Sequence, residues 1–84
     1  MEDTVTTPEY QRLLVILIEQ RTRVGLTQAD VARALKKPQS FVSKYEHGER
    51  RLDIIETIAL CKILELPPQQ LLLELTKGKT SSDV

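Results

Sequence analysis

Gln39, Ser40, Ser43, Lys44 and His47 recur at the spacing of one helix face inside the stretch KKPQSFVSKYEHGERR, Lys36 to Arg51. Amide, hydroxyl and ammonium groups at i, i+1, i+4 and i+5 form a face able to donate and accept hydrogen bonds, with no partner evident nearby in sequence. Basic residues flank it: Lys36 and Lys37 before, Arg50 and Arg51 after. The chemistry on offer is recognition. No nucleophile–base pair or phosphate-binding loop is visible, and His47 stands near a predicted helix end, so an enzyme is not expected. One histidine, His47, and one cysteine, Cys61, fall short of the roughly four ligands of a Cys/His metal site, so neither metal nor cofactor is expected. Cys61 lies in an apolar run and reads as a small buried hydrophobe.

The 84-residue chain has a net charge of zero, unevenly spread. From Arg21 to Arg51 eight basic residues stand against three acidic ones, which makes that segment +5 and the remainder −5. A chain divided in this way carries a local field that its total charge hides. No apolar run approaches the roughly 20 residues of a membrane span. The acidic start MEDTVTTPEY lacks a signal-peptide pattern, and a cytoplasmic location is expected.

The elements that must position these residues are all helical. No run alternates apolar and polar over strand length. Thr7 and Pro8 begin the first helix, which runs to about Arg23 and is closed by Gly25. Its wheel gathers Tyr10, Leu13, Leu14, Leu17 and Ile18 on one face, leaves Val15 and Ile16 on the other, and puts Arg21 in the middle of the apolar face. A buried arginine there needs a partner. Thr27 with Asp30 caps a second helix that ends near Leu35, with Val31, Ala32 and Leu35 inward. A third starts at Gln39 after Pro38, buries Phe41, Val42 and Tyr45, leaves Glu46 at the border, and stops at Gly48. Asp53 with Glu56 caps a fourth, which runs through Leu64 and is apolar around most of its circumference. A fifth follows LPPQQ, with Leu71, Leu72 and Leu75 on one face and Leu73 on the other. The expected organisation is a flexible N-terminus at 1–7, a domain at 8–76 and a disordered tail at 77–84.

Only Lys36 to Pro38 separate the second helix from the third, and so short a link forces a sharp angle between them. Such a pair lets one helix cross a DNA backbone while the next lies in the major groove.

GLTQADVARAL followed by PQSFVSKYEHGER resembles the helix-turn-helix of phage repressors and Cro, the xenobiotic-response-element family. Gly25, Leu26, Thr27 and Gln28 match the entry to the second helix, Ala32 the small packing position, and Val42, Tyr45, Glu46 and Gly48 the end of the recognition helix. The likeness covers about Arg21 to Leu72. It implies a compact, all-α, five-helix repressor-like domain acting on DNA. By position, Gln39, Ser40, Ser43 and Lys44 match the family's base-facing residues, and their chemistry suits that use: Gln bridges adenine N6 and N7, Lys donates to guanine O6 and N7, and Ser serves either. Gln28 matches a phosphate-facing position at a helix N-terminus, where unpaired N–H groups favour anions. Thr27, whose first task is the cap, can add its hydroxyl. Arg50 and Arg51 are candidate phosphate clamps, with local pairing to Glu49 and Asp53 as the alternative, and Lys37 adds attraction beside Lys36 and Arg33. His47 reads either as a complement to the helix dipole or as a DNA contact. The resemblance pairs Arg21 with Glu46, which agrees with the wheel.

Where the family has glycine at the start of the tight turn, this chain has Lys36. Either Lys36 takes positive φ at a cost of about 1 kcal/mol, or the turn differs. Phe41 either packs beside the second helix or touches a thymine methyl.

The functional expectation is a sequence-specific regulator, a repressor, that binds a two-fold double-stranded DNA operator as a homodimer. Ile54, Ile55, Ile58 and Leu73 are the candidate dimer residues, with Val15 and Ile16 as others. The competing expectation is an antitoxin-like interaction module that neutralises a protein partner.

Overall fold

The computed structural model describes residues 7–77 and contains α1 (Pro8–Arg23), α2 (Gln28–Leu35), α3 (Gln39–Glu46), α4 (Ile54–Ile63) and α5 (Pro68–Lys77), with no strand among the described residues. Apart from Thr7, which caps α1, and Lys77, which ends α5, the expected flexible N-terminus and tail lie outside the described residues.

Local signals start the helices. Thr7 Oγ1 accepts a hydrogen bond from the Tyr10 amide at 3.2 Å. Thr27 and Asp30 form a reciprocal box: the Asp30 amide donates to Thr27 Oγ1 at 3.0 Å and the Thr27 amide to Asp30 Oδ2 at 2.9 Å. Asp53 and Glu56 repeat it at 2.7 and 2.9 Å. Each box satisfies two otherwise orphaned N–H groups. α3 has no side-chain cap, because Pro38 stands at its N-cap.

The first four helices also stop alike. At each end one amide bonds three residues back and the next bonds five back: Gly25 and Leu26, Lys36 and Lys37, Gly48 and Glu49, Glu65 and Leu66. This pattern needs a left-handed residue at the turn. Gly25 and Gly48 take it at φ 80° and 79°, whereas Lys36 and Glu65 take it as non-glycine residues at φ 60° and 59°. Lys36 therefore accepts the left-handed geometry, and the turn keeps its form.

Leu17, Val31, Val42, Tyr45, Leu60 and Leu64 form a fully buried centre that joins α1 to α4. α2 packs chiefly on α3 and also on α4, while α5 returns against α1. Two polar ties close the shell: the Leu52 amide donates to the Tyr10 hydroxyl at 2.9 Å, and Gln20 Nε2 donates to the Leu64 carbonyl at 2.9 Å, satisfying the end of α4.

Two wheel assignments change. Ile16, expected outside, packs partly buried against the core because α5 covers that flank of α1. Leu72, expected inside, is exposed. α5 is covered along one side, so its buried stripe narrows to Leu71 with Leu75 beside it.

Candidate nucleic-acid interface

α3 carries two opposed faces. Phe41, Val42 and Tyr45 are buried, whereas Gln39, Ser40 and Lys44 are exposed and Ser43 is half-buried. The Phe41 and Tyr45 rings meet edge to face, 5.8 Å apart at 66°. Burial pushes the Tyr45 phenol above its ordinary titration range, which keeps this anchor neutral. Phe41 packs inside, and its ring is visited by two cations, Arg50 at 4.7 Å and Lys37 at 5.3 Å.

The pose of α3 is held from behind by a chain of polar side chains. Arg21 Nε donates to Glu46 Oε2 at 2.7 Å, and Arg21 Nη2 donates to Glu46 Oε1 at 3.1 Å. The third guanidinium nitrogen, Nη1, donates to the Leu26 carbonyl at 3.1 Å, in the turn before α2. The Glu46 hydrogen bonds hold the Arg21 guanidinium above its ordinary pKa. Glu46 Oε1 also accepts from Gln28 Nε2 at 2.9 Å, and Gln28 Oε1 lies 3.5 Å from Gln39 Nε2. A route of side chains thus leads from α1 through Glu46 and Gln28 to Gln39, the first residue of α3. The Gln28 bridge was not expected from sequence. Its signal was available only as a long amide at the start of α2, with several acceptors in principle within reach.

The loop after α3 is equally organised. Glu56, not Glu49, is the ion partner of Arg50: Nη1 and Nη2 lie 2.9 Å from Oε1 and Oε2 in a two-pronged fork. Arg50 Nη1 also donates to the Arg51 carbonyl at 2.7 Å. The fork, and then the Asp53 amide, hold the Glu56 carboxyl below its ordinary value, and the same fork raises Arg50. Glu56 thus serves both the cap of α4 and the arginine behind Phe41. Arg51 lies with its guanidinium 4.5 Å from the Tyr10 ring centre. His47 Nδ1 lies 2.7 Å from the Ser43 carbonyl oxygen, at the C-terminal end of α3. Thr27 is engaged as the α2 cap, and Arg33 pairs with Asp30 at 3.2 Å on the same helix.

Among the described residues no cluster of His, Cys, Asp or Glu could hold a metal ion, and no helix is long and apolar enough to cross a membrane. Cys61 is buried, and burial raises its thiol pKa.

Two short helices at a sharp turn, the second presenting a polar face and locked from behind, define a DNA-binding helix-turn-helix domain. Residues 17–71 match the sequence model of a helix-turn-helix family. Among solved structures, the chain is similar to an XRE-family like protein from Pseudomonas syringae pv. tomato str. DC3000, at 43% identity and a TM-score of 0.85 over 92% of this chain and 94% of that one. No curated protein matches. The chain belongs to the XRE/Cro-type helix-turn-helix family, whose members are DNA-binding transcription regulators and not enzymes.

Proposed function

We propose that this regulator is a sequence-specific repressor that binds a two-fold operator as a homodimer, with α3 in the major groove. The observation that carries the reading is the polar face of Gln39, Ser40, Ser43 and Lys44, mounted on a helix whose far side is buried and ion-paired. In this reading these four side chains meet base edges, and Gln39 arrives partly aligned by Gln28. Thr27, Gln28, Lys37, Arg50 and Arg51 face phosphates and set the register on the duplex. Arg50 does so while its charge is shared with Glu56. One such module spans few base pairs, so a second copy is needed to lengthen the site, with half-sites about 34 Å apart.

The test is selection of binding sequences from a random duplex library, followed by titration of the winner across a salt series. The expected result is an inverted repeat, with log K falling linearly in log salt at about −0.9 per phosphate contact. The exposed apolar side chains Val15, Ile54, Ile55 and Leu73 favour one competing reading, an antitoxin-like module that neutralises a protein partner. Failure to enrich any sequence, or a flat salt response, would favour that module over the repressor.

A further inference from the structure

An arginine has five N–H donors, and three of those on Arg50 are taken. Nη1 and Nη2 each give one to the Glu56 carboxylate at 2.9 Å, and Nη1 gives its second to the Arg51 carbonyl at 2.7 Å. The other two, Nε–H and the second hydrogen of Nη2, take no acceptor among the described residues. They run parallel along one side edge of the guanidinium plane. Arg21 shows what that edge can do: its Nε and Nη2 hold the two Glu46 oxygens at 2.7 and 3.1 Å. A phosphate offers the same pair of oxygens.

The plane of Arg50 is fixed from two sides. The Phe41 ring, itself buried, lies 4.7 Å from its Cζ. Glu56 is the more sheltered partner of the fork, 19% exposed against 43% for Arg50, and its Oε1 is anchored in turn by the Asp53 amide at 2.9 Å. A long exposed side chain ordinarily gives up its rotamer freedom when it meets a ligand. Here folding has already removed that freedom. Lys37 Nζ, 5.3 Å from the centre of the same ring, adds a second positive charge.

We infer that the Nε–Nη2 edge of Arg50 is a preformed two-pronged clamp for a DNA phosphate, and that Glu56 and Phe41 are its positioning residues. The Glu56 fork stays closed when the phosphate arrives. Two effects of Glu56 oppose each other. Its charge repels the phosphate, and its fork spares Arg50 the cost of ordering. The repulsion acts from the far edge of the guanidinium and across open solvent, where ions screen it. The ordering cost would fall directly on the contact. Glu56 therefore strengthens the hold on an anion, although it is itself an anion.

Because the clamp rests on Arg50 facing DNA, as proposed above, it is tested on a short mixed-sequence duplex, where base readout plays no part. Glu56→Gln removes a negative charge yet keeps an acceptor for the α4 cap. It should weaken binding about two- to tenfold, the cost of ordering one long side chain. Arg50→Lys keeps the charge and leaves the cap untouched but has no planar fork, and it should lose a similar factor. Glu56→Gln added to Arg50→Lys should cost nothing further, since the two act through one contact. In the wild type, the Arg50 Nε–H resonance should shift when the duplex is added. Circular dichroism checks that each variant is folded, and Arg50→Lys decides alone if Glu56→Gln is not. Tighter binding by Glu56→Gln, unchanged binding by Arg50→Lys, a second loss in the double variant, or an Nε–H resonance that ignores the duplex would overturn the clamp while DNA binding stood. A wild type that binds no duplex even at low salt would overturn the DNA-binding reading itself, and the clamp with it.

Discussion

Arg21 of α1 and Glu46 at the end of α3, 25 positions apart, form an ion pair at 2.7 Å in which the carboxylate is only 6% exposed and the guanidinium 17%. The pair sits on the protein side of α3, away from the exposed edge of Gln39, Ser40 and Lys44. It also accepts the Gln28 amide and so joins three helices at one carboxylate. Pairs of this sort contribute little net stability, because both charges must leave water, but they exclude alternative helix poses.

Arg21→Met should therefore cost about 3 kcal/mol, because Glu46 is left charged and nearly buried. Arg21→Met combined with Glu46→Leu should recover most of that loss. Operator affinity should not recover with it, since Gln28 loses its anchor and α3 its fixed pose. Urea denaturation and DNA titration on the same three proteins check both halves. A double variant that binds as tightly as the wild type would show that the pair has no role in setting the pose.

The pair was legible in the sequence because two arguments converged on it: a charged residue on an apolar wheel face, and the family likeness. The caps were legible for a simpler reason, since Thr27 with Asp30 and Asp53 with Glu56 act over three residues. The partner of Arg50 was not. Glu56 lies six positions on, across a loop, where no periodicity constrains direction, and the nearer Glu49 was the only local partner weighed, as the alternative to a phosphate contact. Ile16 and Leu72 were misplaced for a related reason. A wheel gives the angle of a side chain about its own axis, but which flank is covered depends on where α5 comes to rest. The outward set Gln39, Ser40, Ser43 and Lys44 followed from the spacing of Phe41, Val42 and Tyr45, whereas the Gln28 bridge needed the interhelix angle.

Lys36 and Glu65 both hold left-handed backbone at helix stops, φ 60° and 59°. Replacing either with glycine should stabilise the fold by about 1 kcal/mol. For a domain of this size that raises Tm by about 4–8 °C. The two variants should part on DNA. Glu65→Gly, at the α4 stop, should leave operator binding unchanged, whereas Lys36→Gly should lower affinity slightly, because it removes a cation beside α3. Thermal melts and one binding isotherm for each variant check this. No gain from either glycine would mean that the side chains repay the backbone strain locally.

The Arg50–Glu56 fork should make stability depend on acid. Its carboxyl titrates below the ordinary value of 4.5 when folded, so the unfolded chain takes up the proton first. The stabilisation is thus fully present above pH 4.5 and fades as pH falls through the lower folded value. Arg50 stays charged throughout, so the carboxylate alone sets the window. Asp30, also lowered by its cap hydrogen bonds, adds acid sensitivity of the same sign. Comparison with Glu56→Gln cancels that contribution. The Tm difference between wild type and Glu56→Gln should be constant near neutrality and shrink on acidification below pH 4.5. A difference that holds steady into strong acid would remove the fork as its cause.

Gln39 and Lys37 sit two residues apart at the start of α3, and their replacement should have different signatures. Gln39→Ala removes an amide suited to adenine and should cost about 1–3 kcal/mol on the selected operator, with little loss on a sequence altered at the contacted base pair. Specificity at that position should relax. Lys37→Ala removes a charge and should weaken all sequences alike, reducing the slope of log K against log salt by about 0.9. Gln28→Ala, which leaves the exposed face intact but frees Gln39 from its neighbour, should resemble a weakened Gln39→Ala and not a charge loss, if the Gln28 amide acts by alignment. A Gln28→Ala variant whose only change is in the salt slope would instead assign Gln28 to phosphate contact alone.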